Sequence, residues 1–294
     1  MSFKHFAMAT AVTGLLFSQP GQAGGEIEEQ RSMAADGFVA VENIAGEVEV
    51  QGWDRNELRL TGELSDDAEA LDITPTGNGF RIEVRYPRKA RNMEDTELIL
   101  KIPRQASLEV ETVSADITVD DLDGDRLMLS TVSGDIEADA NSRQAELSAV
   151  SGDISFRGNA SRTQVETVSG DVELDGVGDD LSIRTVSGDV ELFAKPLANG
   201  RFETVSGHLG LQLDLESGGR ISIESLSGDV DLSLPESVST RLKASSFSGR
   251  IDGQLKGSNG SGDNRKKRLD QELGGGDGQV RIETFSGDIE LNIR

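Results

Sequence analysis

One five-residue phrase recurs along this chain and restricts its fold more than any other feature. It runs Thr112-Val-Ser-Ala-Asp116, Thr131-Val-Ser-Gly-Asp135, Ala149-Val-Ser-Gly-Asp153, Thr167-Val-Ser-Gly-Asp171 and Thr185-Val-Ser-Gly-Asp189. It continues as Thr204-Val-Ser-Gly-His208, Ser225-Leu-Ser-Gly-Asp229, Ser246-Phe-Ser-Gly-Arg250 and Thr284-Phe-Ser-Gly-Asp288. Successive copies start 19, 18, 18, 18, 19, 21, 21 and 38 residues apart. Near-constant spacing over nine copies marks a repeat architecture, in which each unit buries its apolar side chains only by stacking on its neighbours.

Counting from the Val of the phrase, apolar residues dominate at positions −5, −3, 0, +4 and +6, as in Leu181, Ile183, Val186, Val190 and Leu192. Spacing of two within each flank is strand periodicity. The step of three between −3 and 0 breaks parity and predicts a bend or bulge, with all five apolar side chains inside. Each unit therefore reads as strand, corner, strand and Gly/Asp turn, such as Asp175-Gly-Val-Gly-Asp179. That is one coil of a β-solenoid. The expected fold is an all-β, right-handed parallel β-helix with short coils of about 18–21 residues, the handedness following the general preference of parallel crossovers.

The flanking segments are less regular. Residues 1–23 read as a secretory signal peptide: Lys4 is the positive head, Phe6 to Phe17 the apolar stretch, and Gly21 and Ala23 the small residues before a cut after Ala23. The alternative is a buried N-terminal helix. Residues 24–104 form an irregular β-rich region, opened by a degenerate coil (Val39, Val41, Ile44-Ala-Gly-Glu47, Val48, Val50) and followed by strands that extend or cap the solenoid. Residues 105–294 carry the repeats, interrupted by a polar Gly-rich loop at 257–278 with Arg265-Lys-Lys-Arg268.

Composition enters by exclusion. A formal charge of −24 disfavours nucleic acid and anionic surfaces, and the absence of cysteine removes disulfides, thiolate nucleophiles and Cys-bound zinc. Two histidines leave little material for a triad or an imidazole metal site, and 4% aromatics argues against a stacking platform for bases or sugars. No stretch after the leader reaches the roughly 18 apolar residues a membrane helix needs. An outer-membrane barrel is not excluded by charge, although aromatic girdles are lacking.

The Thr-Val-Ser-Gly-Asp series, the opening Val41-Glu-Asn-Ile-Ala-Gly-Glu-Val-Glu-Val50-Gln-Gly-Trp53-Asp and the closing Gly274-Gly-Gly-Asp-Gly with Val280 to Ile289 resemble a bacterial family. It is domain-of-unknown-function 4097, adhesin-named proteins with β-strand repeats, and the resemblance spans about residues 37–294. It implies a β-helix-like fold at the cell envelope and supplies no catalytic residues. Ala115, His208 and Arg250 depart from the repeat columns.

No catalytic or cofactor-binding residue is nominated. The Ser column (Ser114, Ser133, Ser151, Ser169, Ser187, Ser206, Ser227, Ser248 and Ser286) lacks a regularly accompanying base, so its hydroxyls are expected to bond the turn backbone. Seven of the nine copies carry Asp at +3: Asp116, Asp135, Asp153, Asp171, Asp189, Asp229 and Asp288. Stacked carboxylates repel, so turn N–H donors, solvent or a cation must offset them. Turn capping is the favoured reading; calcium held by Asp135, Asp153, Asp171 and Asp189 is the alternative, short of the six to eight oxygens such an ion takes. The basic runs Arg88-Lys-Ala-Arg91 and Arg265-Lys-Lys-Arg268 read as solvated loops before anionic-ligand sites.

The function expected is a secreted or periplasmic envelope solenoid, a non-enzymatic scaffold or adhesin-like surface for an envelope protein or glycan. A β-helix carbohydrate-active enzyme and a calcium-stabilised rod are the alternatives. The first would need two placed carboxylates.

Overall fold

In a computed structural model the described residues are 25–87, 94–253 and 267–294, and every regular element among them is a β-strand. The proposed leader at 1–23, the run Arg88–Arg91 and, from the second basic run, Arg265 and Lys266 lie outside the described residues.

The repeats stack in register. Val165 pairs with Leu147 on one side and Ile183 on the other, and Thr167 with Ala149 and Thr185. The second strands follow suit: Val172 lies between Ile154 and Val190. All of these pairings are parallel. Inward columns of Leu, Ile, Val and Phe merge into one core that extends from Ile27 to Leu291. Turns add to it, since Val177 and Leu213 of the return segments are fully buried.

The expected bulge before the phrase is replaced by uninterrupted alternation. In the Val186 coil, Leu181, Ile183 and Thr185 face inward, while Val186 is 46% exposed. The inward position is therefore −1, occupied by Thr, Ser or, once, Ala149, and the Val of the phrase points out. Parity never breaks within that strand. The step of three simply crosses from the inner face to the outer.

Glycine at the corner is a packing requirement. A β-carbon on Gly152 would lie 2.0 Å from the carbonyl oxygen of Gly134, and one on Gly188 would lie 2.1 Å from that of Gly170. Gly188 also takes a φ of +141°, but Gly152 needs no such conformation. Close stacking of corner on corner is thus the shared reason for the column.

Both ends depart from sequence order. The strand Phe38–Trp53 pairs in parallel with Ser107–Thr131 on one side, and with Gly79–Arg85 and Thr96–Pro103 on the other. At the far end, Val230 N–H donates to Asp288 O and Ile289 N–H donates to Arg250 O, so the last coil lies between the Leu226 and Phe247 coils. Beyond these layers the pairing turns antiparallel. Ala70–Thr76 covers Gly79–Arg85, Glu57–Leu64 covers Thr96–Pro103, and Gly25–Ser32 covers Glu57–Leu64. Arg268–Leu273 does the same for Thr240–Ser246, so the segment expected as a loop contains a strand. Glu26, Glu28, Arg268 and Glu272 are exposed on these outer strands, where charge discourages edge-to-edge association.

Candidate functional site

The outward residues of the phrase form a ladder along the stack: Val113, Val132, Val150, Val168, Val186, Val205, Leu226, Phe285 and Phe247, in spatial order. The six valines are 44–47% exposed, Leu226 53%, Phe285 54% and Phe247 68%. At about 4.8 Å per layer the ladder runs on the order of 40 Å. Phe285 and Phe247 are 38 residues apart in sequence, yet their rings stack at 4.9 Å and 10° because the last coil is intercalated.

Beside the ladder runs a trench of about 1180 Å³. Its second wall is the −2 column: Ser130, Ser148, Glu166, Arg184, Glu203, Glu224, Glu283 and Ser245. Side chains two residues apart on a strand stand on the same face, so Val and Glu or Ser rise together, with the strand backbone as floor. Arg184 ties this wall together through Glu166 (Nη1–Oε1, 2.8 Å) and Glu203 (Nε–Oε2, 3.3 Å), which holds its guanidinium above the usual range, the Glu166 bond first. Arg201 pairs with the same Glu203. At the aromatic end, the Lys267 ammonium donates to Phe247 O at 2.7 Å and lies 5.9 Å from the Phe247 ring centre.

The hydroxyl chemistry differs from the sequence expectation. The corner is braced chiefly by the inward −1 residue: Ser225 Oγ donates to Gly228 O and Thr284 Oγ1 to Gly287 O, at 2.8 and 2.9 Å. Thr167 and Thr185 hydroxyls are buried without a hydrogen-bond partner. The Ser column is largely turned to solvent, with occasional backbone bonds such as Ser206 Oγ to Val186 O at 3.4 Å. An apolar count gives no signal at this Thr, and only its parity with the −3 and −5 positions marks it as inward.

The Asp column forms a relay between layers. The backbone N–H of Asp135 donates to Asp116 Oδ1, Asp153 to Asp135, Asp171 to Asp153 and Asp189 to Asp171, at 2.8–2.9 Å. Where the column breaks, His208 N–H still donates to Asp189 Oδ1, and Arg250 donates to Asp288 through both its N–H and its guanidinium. The Arg250 guanidinium and then its N–H hold the Asp288 carboxyl below the ordinary carboxylate range. Elsewhere burial pushes Asp120 up, with Asp139 adding repulsion, and burial also raises Asp231 against the pull of His208, 3.5 Å away. Among the described residues no group of three or more His, Cys, Asp or Glu side chains converges as a metal site. Of the two basic runs, the described Lys267 and Arg268 reach the trench.

The family model described as Toastrack DUF4097 matches residues 39–292. The chain belongs to that family. Among solved structures, this Toastrack chain is similar to a putative adhesin from Bacteroides fragilis NCTC 9343, with 9% identity over 91% of this chain and 97% of that one and a TM-score of 0.42. A putative lipid binding protein from Parabacteroides distasonis ATCC 8503 shares 10% identity over 92% and 96% of the two chains, with a TM-score of 0.47. A putative adhesin from the same strain shares 10% over 91% and 97%, with a TM-score of 0.40. Among curated proteins no match is found. Among the described residues no helix is long and apolar enough to cross a membrane.

Proposed function

We propose that this Toastrack chain is a non-enzymatic, adhesin-like scaffold of the cell envelope, secreted or periplasmic, that binds a partner along its apolar ladder. In this reading residues 1–23 direct export with cleavage after Ala23, residues 24–104 cap a right-handed coil stack, and residues 105–294 present the face. The observation that carries it is the ladder itself. Nine outward apolar side chains stand in one line, on the order of 750 Å² if each full side chain offers roughly 150–200 Å². The largest apolar patch on a typical monomer is about 300–600 Å².

The non-enzymatic part rests on repetition. A reactive centre is one place, whereas the Ser column and most of the Val and Asp columns present one group again and again, and affinity on such a face accumulates from modest contacts. His208 is the one histidine among the described residues, and its imidazole lies 3.5 Å from an Asp231 carboxylate oxygen.

The test is replacement of ladder valines by threonine in blocks, which keeps the β-branched shape while making it polar. Loss of envelope retention in at least one block is expected; full retention in every block removes the binding role. Incubation of the purified chain with acidic polysaccharides checks the enzymatic alternative, and reproducible new reducing ends or unsaturated products would establish it.

A further inference from the structure

We infer that the occupant of the ladder face is a second copy of this chain, ladder packed into trench in both directions; this deepens the proposed binding role and rests on it. Ridge and trench lie side by side on one surface. A two-fold operation therefore sets each copy's ridge in the other's trench, the self-complementarity that an isologous dimer requires.

Spacing selects the partner. The ladder repeats every 4.8 Å or so, as stacked strands must. A helix laid along it repeats at about 5.4 Å per turn and drifts out of step within a few layers. An extended strand presents same-side residues about 6.6–6.8 Å apart and never matches. Another face of the same solenoid matches at every layer, which is the geometry of dry, interdigitated ladders. The area agrees as well: the exposed ladder approaches the roughly 800 Å² per partner of a standard interface.

Charge then fixes how association responds to salt. The chain carries −24, so two copies repel at long range, while the contact between them centres on the apolar ladder, with the −2 column of Ser, Glu and Arg at its margin. Raising ionic strength shortens the screening length from tens of ångströms to a few and relieves that repulsion. A charged ligand recognised through Glu203, Glu224 or Lys267 would respond in the opposite sense.

Sedimentation of the mature chain across a salt series tests this. A dimer is expected whose dissociation constant falls roughly tenfold or more between about 0.03 and 0.5 M salt. The V168T/V186T/V205T variant should weaken it at least tenfold while leaving the unfolding midpoint in place at concentrations where the parent is monomeric, since these side chains are exposed. The absence of cysteine allows a second reading of the same contact. Val186→Cys should form a disulfide between copies under mild oxidation, and Glu173→Cys, exposed on the other strand of the coil, should not. A monomer at every salt, a dimer that weakens with salt, or equal crosslinking at both cysteines would overturn the inference. A monomeric chain whose threonine variant loses envelope retention would overturn it while leaving the ladder as the binding face for a different partner. A dimer that the threonine substitutions weaken, with equal envelope retention of parent and variant, would uphold the pairing and remove the envelope role.

Discussion

Gly152→Ala separates two reasons a corner can demand glycine. Gly152 has no positive φ, so if backbone conformation were the whole requirement, alanine would be harmless or would stabilise by about 0.5 kcal/mol through the unfolded chain. The stacking geometry predicts the reverse. A β-carbon there starts 2.0 Å from Gly134 O, and reaching even 3.0 Å opens the corner by about 1 Å. Three hydrogen bonds bridge that gap: Ser151 N–H to Val132 O at 2.8 Å, Ile136 N–H to Asp153 O at 2.9 Å, and Asp153 N–H to Asp135 Oδ1 at 2.9 Å. Stretched by about 1 Å, all three leave hydrogen-bonding range. At about 1 kcal/mol net each, the loss is about 3 kcal/mol. Gly77→Ala is the control, because its φ is +56° with open space around it, and strain alone costs about 1–2 kcal/mol. Urea unfolding supplies the midpoints, and amide exchange at Ser151, Ile136 and Asp153 localises the damage, as a stacked array need not melt as one unit. A Gly152→Ala midpoint within about 0.5 kcal/mol of the parent, or unchanged protection at those amides, would refute the reasoning.

Thr185→Val should raise stability by about 1 kcal/mol, because it replaces a buried hydroxyl that has no partner, whereas Ser225→Ala should cost about as much by taking the hydroxyl that donates to Gly228 O and accepts from Gly228 N–H. Urea midpoints of the two variants should move in opposite directions. Asp171→Asn keeps an oxygen for the Asp189 N–H and removes like-charge repulsion, so its melting temperature should match or exceed the parent's, while Asp171→Ala should lose about 1 kcal/mol. Calcium and sodium chloride at matched ionic strength should shift melting equally, and a calcium-specific rise would assign the column to a cation. Arg250→Gln removes the guanidinium that depresses Asp288 most and keeps the backbone N–H that depresses it second. A depressed carboxyl contributes stability above its ordinary pKa and loses it as pH falls through the folded value, so the variant's deficit should be full near pH ~6 and shrink as pH falls below the ordinary carboxylate range in a melting series.

The solenoid was legible because nine copies of one phrase report the layer spacing and the two strand flanks directly. The degenerate coil at Val39–Val50 was legible too, and its Gly46 pairs with Ala115 as the shared register requires. What misled was hydrophobicity read without parity. Hydrophobicity alone points Val186 inward and leaves polar Thr185 out, whereas strict alternation from Leu181 and Ile183 places Thr185 inside. A second signal lay in side-chain volume: a packed column holds volume nearly constant, yet this one drifts from Val to Leu226 to Phe247 and Phe285, as a solvent-facing one can. The Phe pair itself was hidden, because sequence order places the Phe247 coil before the Phe285 coil with no hint that the later one slides inside.

That intercalation sets the timetable on which the molecule can be completed. A chain emerging from its amino end lays down the Phe247 layer before the Phe285 layer exists, so a slot one strand-spacing wide must stay open, or reopen, for Gly278–Ile293. The finishing step is an insertion and not an addition. Pulled from its carboxyl end, the finished rod has no outermost lap to unwind: the gripped segment must slide out from between two neighbours, breaking both sets of backbone bonds at once.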